Sequence, residues 1–288
     1  MREANFKIGW FFMSFVPLIV SIAMQAVVGG IAMAIHGIFV TYRDMRVYGY
    51  SPGDEEFMEV YMQNMMANAS TGIFAYHLVA TAAFFLWYYL MCLKPYGAEM
   101  QVTKILTKPM IGWSIIIGII LTLFNTQAVK LVEYVAPEII EQFFEMIEAA
   151  GFGTSILAIL AAVVLAPIGE ELLCRGIIQH YAQKACRYFW VANVIQALTF
   201  GIMHLNIVQG TYAFLIGLVL GWLRHRYKTL LVPIIVHFVI NFSTSTWLGQ
   251  LLAELPQNLT IDIGLFGLSV AATAGILYVI REETVDGQ

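Results

Sequence analysis

Long blocks of apolar residues are the feature of this sequence that most restricts its fold. A helix needs about 20 mostly apolar residues to cross roughly 30 Å of hydrocarbon at 1.5 Å per residue. Charged residues make up only 12% of the 288 residues, whereas about 25% is usual in soluble domains. The sequence therefore predicts an all-α polytopic membrane protein, with one integral membrane domain over residues 1–288. About eight transmembrane helices are predicted, near residues 8–35, 71–92, 110–134, 153–181, 189–207, 209–224, 230–249 and 262–280.

The polar segments between these blocks alternate between basic and acidic. Eleven of the 15 lysines and arginines fall on one side of the predicted bundle. Because such residues concentrate on the cytoplasmic side, both termini are predicted to lie inside (N-in/C-in). Two acidic outer segments, 41–70 and 135–152, carry charges and apolar residues at helical spacing. This spacing favours interfacial helices, with a solvated hairpin end as the alternative.

The first apolar block and the charge composition bear on location and partners. The block from Ile8 to about Ile35 is much longer than the core of a cleaved signal peptide, so it is predicted to remain as the first span. A chain of this length without targeting extensions is expected in a prokaryotic plasma membrane. Membrane lipids are expected partners, and nucleic acid is not, because the chain has no basic run.

Ionisable residues inside predicted spans are costly, so they normally mark function or a structural pair. Span four contains Glu170, Glu171 and Arg175. Glu171 and Arg175 are four residues apart with the carboxylate first, which favours an ion pair on one helix face. Glu170 is then rotated about 100° around the helix, away from that pair.

Two further spans carry polar side chains that can face the same interior. Span five ends with Phe200 and His204, and span seven contains His237 and Asn241 four residues apart. A carboxylate beside an imidazole can remove a proton from water. A histidine and an asparagine facing them can donate hydrogen bonds to the oxyanion of a tetrahedral intermediate. Together with Glu170, these groups are the ones that amide hydrolysis requires.

The order of these motifs resembles that of the CAAX-protease and bacteriocin-processing (CPBP) membrane peptidases, which include the Rce1-type CAAX prenyl endopeptidases. The resemblance covers roughly residues 150–245, the expected peptidase core. It implies an intramembrane endopeptidase in which Glu170 and His204 activate the water. His237 and Asn241 would hold the oxyanion, and supporting roles are implied for Glu171, Arg175 and Phe200. The motifs are E-E-x-x-x-R at 170–175, F-x-x-x-H at 200–204 and H-x-x-x-N at 237–241.

The resemblance also implies a substrate class, a peptide or lipidated protein such as a prenylated C-terminal CAAX peptide. No cofactor is predicted. A zinc-dependent peptidase is the alternative, with Glu170, His204 and His237 as ligands. The lack of H-E-x-x-H and the origin of the ligands on three separate helices favour the metal-free form. A non-catalytic scaffold or transporter is a further alternative, but the buried charges occupy only one half of the chain, which favours an enzyme.

Two expectations concern the geometry of the spans. On straight helices the three motifs would lie at different depths, so tilting or a break is predicted around span five, at Gly201 for instance. The remaining histidines have no accompanying motif and are expected to have packing or interface roles. They are His36, His77, His180 and His225.

Overall fold

The computed structural model describes residues 6–49, 55–96, 106–152, 154–246, 249, 251–252, 254–255 and 258–285. Within these ranges the chain forms helices and turns and contains no β-strand. The predicted all-α class is therefore confirmed. Positions 153, 247 and 248 of the predicted spans lie outside the described residues.

The helices follow the predicted apolar blocks in chain order. They are α1 (Ile8–Val47), α2 (Glu55–Ala67), α3 (Ala69–Leu93), α4 (Lys108–Glu133), α5 (Pro137–Ala149), α6 (Ile156–Ala185), α7 (Phe189–Ile202), α8 (Ile207–Tyr227), α9 (Leu231–Thr244) and α10 (Leu259–Val285).

Each predicted span coincides with one of these helices. By length and composition, six of them can cross a membrane, namely α1, α3, α4, α6, α8 and α10. The other two, α7 and α9, are apolar but only 14 residues long. The protein is thus a polytopic helical membrane protein. The number of eight crossings and the N-in/C-in orientation stay predictions.

Helix α6 forms the centre of the bundle, in contact with α1, α3, α7, α8 and α9. Of its most apolar stretch 56% is buried, compared with 11% for α10. The helix is irregular, because π-helical turns at Ala161–Leu165 and Leu172–Ile178 flank a short α-helical segment, Ala166–Glu171. Such π-turns change the direction of the following side chains and are frequent at functional sites. The segment between them carries Glu170 and Glu171.

The predicted break near Gly201 is confirmed. Helix α7 ends at Ile202, and the chain turns through Leu205, which adopts a left-handed conformation with φ of 53°. Asn206 then starts α8, because its side chain accepts hydrogen bonds from two backbone N–H groups of the first turn. His204, predicted at the end of span five, therefore lies in this turn.

Gly201 allows α7 to pack closely against α8, whereas the helix itself ends one residue later, at Ile202. A Cβ atom at this position would lie 2.6 Å from the backbone oxygen of Gly210, and one at Gly210 would lie 2.9 Å from the oxygen of Gly201. Both distances are too short for a carbon atom. The two glycines let the helix backbones approach closely, as small residues do in other membrane proteins.

The outer segments also form the helices that their patterns predict. In α5, Ile140 and Phe143 are buried against Val208 of α8, and the glutamates are exposed. The other outer segment contains the end of α1 and the 13 residues of α2. Their location in the membrane interface stays a prediction.

We expect Gly201→Ala to destabilise the fold by about 1–3 kcal/mol, because the added methyl group forces α7 away from α8. The midpoint of thermal unfolding in detergent measures this effect. Gly267→Ala in α10 is the matched control, since no atom lies within 4 Å of its Cβ position. An equal midpoint for the two variants would contradict the role given to the Gly201–Gly210 contact.

Candidate active site

A buried ion pair lies at the centre of the bundle. Nη1 of Arg175 is 2.8 Å from Oε1 of Glu171, and neither side chain is exposed. Arg175 also donates to the backbone oxygen of Gly217 in α8, at 3.4 Å. The predicted pair on one face of α6 is therefore confirmed, and it is linked to a second helix.

His237 of α9 connects this ion pair with the second glutamate. Its Nδ1 atom lies 2.9 Å from Oε1 of Glu171, and its Nε2 atom lies 3.8 Å from Oε2 of Glu170. Glu171 is paired with a guanidinium and thus acts as an acceptor, so Nδ1 of His237 is the donor. The imidazole is held between two carboxylates. As predicted, Glu170 takes no part in the arginine pair, and its side chain remains 12% exposed.

Phe200 is the packing centre of the site. The guanidinium carbon of Arg175 lies 4.3 Å from the centre of its ring. The rings of His204 and His237 contact the same phenyl group in T-shaped geometry, with centroid distances of 5.1 and 5.7 Å. A cation over an aromatic face is attracted by the negative charge of that face. Phe200 therefore positions three polar groups at once.

The orientation of His204 is set by the backbone of α7. Its Nδ1 atom is 2.7 Å from the carbonyl oxygen of Phe200. A carbonyl oxygen can only accept, so Nδ1 carries the proton and the neutral ring has its lone pair on Nε2. Glu170 and His237 lie within electrostatic range of the ring. Among the described residues, however, no hydrogen bond joins His204 directly to Glu170.

Asn241 lies one turn beyond His237 on α9 and reaches back to α6. Its Nδ2 atom donates to the backbone oxygen of Ala162 at 2.8 Å. Ala162 belongs to the first π-turn of α6, where the backbone departs from the usual helical hydrogen bonding. One N–H of the Asn241 amide is thereby used, and a second remains for a ligand.

Three side chains outside the motifs interact electrostatically with Glu170. Tyr76 and His77 on α3 and Tyr212 on α8 all lie within electrostatic range of its carboxylate. His77 is also within electrostatic range of His204 and His237, and its expected packing or interface role stays a prediction. The signal available in the sequence was its position as an ionisable residue inside an apolar span.

The zinc alternative requires Glu170, His204 and His237 to converge on one point. Within the described part of the chain, no three histidine, cysteine, aspartate or glutamate side chains have an arrangement that could hold a metal ion. His237 directs Nδ1 at Glu171 and His204 directs Nδ1 at a carbonyl. Both contacts leave Nε2 free, as they also do in zinc-bound histidines, so the metal-free form stays a prediction.

The fold and the site define a helical membrane protein with carboxylate and imidazole groups buried in its bundle. Residues 152–243 match the family described as type II CAAX prenyl endopeptidase, Rce1-like. An uncharacterised 24.3 kDa protein of Escherichia coli is 34% identical over 86 residues, which are 28% of this chain and 40% of that protein. No solved structure matches the chain. The resemblance to the CAAX-protease family is thus confirmed for residues 152–243, which include all three motifs.

We expect Arg175→Met to lower the free energy of unfolding by about 3–5 kcal/mol, because Glu171 keeps a buried charge without its partner. The double variant Glu171→Gln/Arg175→Met should recover part of this loss. Arg43→Met is the control, since Arg43 forms an ion pair with Asp44 but is 66% exposed. Its unfolding midpoint in detergent should stay at the wild-type value. Equal losses for Arg175→Met and Arg43→Met would contradict a structural role for the buried pair.

Proposed function

We propose that the protein is an intramembrane endopeptidase that hydrolyses a peptide bond of a membrane-associated substrate with an activated water molecule. The observation that carries this proposal is the position of His237 between Glu170 and Glu171. Glu171 forms an ion pair with Arg175, and Glu170 remains partly exposed beside the imidazole. An ion pair that served only packing would not need the second carboxylate.

Glu170 is the proposed base, assisted by His204. Its side chain is available because Arg175 is bound by Glu171. The neutral form of His204 has an acceptor at Nε2, since Nδ1 donates to Phe200. Two acceptors of this kind can orient a water molecule and take its proton as its oxygen attacks the carbonyl carbon. The same proton can then be transferred to the leaving amine.

His237 and Asn241 are the proposed donors to the oxyanion. When His237 is protonated on both nitrogens, Nδ1 donates to Glu171 and Nε2 is left to donate toward the side of Glu170. Asn241 contributes its second amide N–H from one turn further along α9. Donors that are fixed before the reaction stabilise the developing charge without reorganisation. Glu171, Arg175 and Phe200 hold the histidine in place and are positioning residues in this scheme.

The proposed substrate is a peptide or a lipidated protein, including a prenylated C-terminal CAAX peptide. Support comes from the matched family, whose description is that of a CAAX prenyl endopeptidase. We further propose a prokaryotic plasma membrane as the location, because the similar protein belongs to Escherichia coli.

We expect Glu170→Gln to lower kcat by about 10²–10⁴-fold, because the amide cannot accept the proton of the water. The measurement is cleavage of prenylated and unprenylated fluorogenic peptides by the detergent-purified protein. Glu145→Gln is the control, since it removes a carboxylate from the exposed face of α5. If folded wild-type protein cleaves no peptide of the panel, or if Glu170→Gln remains fully active, the proposed function is wrong.

A strong zinc chelator should leave the cleavage rate unchanged if the proposed metal-free mechanism holds, since no three candidate ligands are grouped within the described part of the chain. The rate is compared before and after dialysis against the chelator, with a known zinc peptidase as a positive control for metal removal. Loss of activity that added zinc restores would favour the zinc-dependent alternative and would require Glu170, His204 and His237 to rearrange.

A further inference from the structure

A polar cavity lies beside Arg175, between the ends of α3, α6 and α8. Its volume is about 220 Å³. Three of its lining residues are cationic, and none of the described lining residues is acidic. The lining includes Arg175, Gln183, Arg224, His225 and Lys228.

Packing and helix ends explain only part of this lining. Arg224 and His225 lie in the last turn of α8, and Lys228 caps it, where cations are favoured by the helix dipole. The same reasoning does not apply to Arg175, which lies in the middle of α6. Nor does it explain why the amide side chain of Gln183 faces the same space. The charges and amides therefore indicate a binding site for a negatively charged group.

The guanidinium of Arg175 supplies an independent observation. Nη1 is bound to Glu171 and Nη2 to the oxygen of Gly217. Its Nε atom is buried, and among the described residues it has no hydrogen-bond partner. An N–H donor that is buried without an acceptor is destabilising. Since Arg175 lines the cavity, an anion or its hydration water could satisfy this donor.

The geometry points to a phosphate-type oxyanion as the ligand of this cavity, either the headgroup phosphate of an anionic phospholipid or free phosphate. A water molecule takes up about 30 Å³ in the liquid, so the cavity has room for a tetrahedral oxyanion with some water. Arginine and lysine side chains are the usual phosphate ligands, through charge-assisted hydrogen bonds. Basic pockets between membrane helices recognise lipid headgroups in the same way.

The cavity is connected to the candidate active site through a single side chain. Arg175 binds Glu171 and also lines the anion cavity, and Glu171 in turn orients His237. The proposed site is nevertheless separate from peptide hydrolysis, and its ligand can be tested without any substrate.

Binding is tested on the purified full-length protein in a neutral detergent, by the shift of its unfolding midpoint. One arm titrates inorganic phosphate against chloride at constant ionic strength. The other arm adds phosphatidylglycerol, with phosphatidylcholine as the neutral comparison. We expect a saturable increase of the midpoint in at least one arm, and the responding arm identifies the source of the phosphate group.

The test variants are Arg224→Gln and Lys228→Gln. Each should weaken apparent binding by about tenfold or more, because one charge-assisted hydrogen bond is lost. Lys228 is exposed, so its variant remains informative if Arg224→Gln does not fold. The matched control is Arg226→Gln, which removes the same charge from the same helix end outside the cavity lining and should bind normally. No shift in either arm, or an equal loss in the control, overturns the proposal.

Discussion

The buried ion pair between Glu171 and Arg175 is the interaction on which the interior of this protein depends. Two charges without access to water carry a large desolvation cost, which only well-placed partners can offset. Arg175 contacts three partners: the carboxylate of Glu171, the carbonyl of Gly217 and the ring face of Phe200. Glu171 adds the imidazole of His237. Because the partners lie on α6, α7, α8 and α9, satisfying this pair also fixes how four helices pack.

Helix irregularity then brings the polar groups to a common depth. The π-turns of α6 interrupt its regular hydrogen bonding, and Asn241 donates to a carbonyl within the first of them. Helix α7 is short, so His204 lies in a turn where a left-handed residue and the cap of α8 follow directly. Regular helices of full membrane length would separate these side chains along the bundle axis. The site thus rests on departures from ideal geometry that the surrounding apolar packing supports.

The sequence by itself determined the features that depend on neighbouring residues. Long apolar blocks located the helices, because a helix in hydrocarbon must satisfy its own backbone and present apolar side chains. The spacing of four residues predicted the pair of Glu171 with Arg175 and left Glu170 outside it. The mismatch in depth between the motifs predicted an interruption near Gly201. The polar motifs identified which helices share an interior, since buried ionisable groups need partners.

Only the tertiary structure decided which groups these side chains contact. The hydrogen bond of His237 with Glu171 joins residues 66 positions apart, and that of Asn241 with Ala162 joins residues 79 apart. Such contacts depend on the rotation, tilt and ends of each helix, which local spacing does not specify. The central position of Phe200, the nearness of His77 to the site and the basic cavity beyond Arg175 have the same origin. Side-chain identity supplied the chemistry, and helix packing selected the partners.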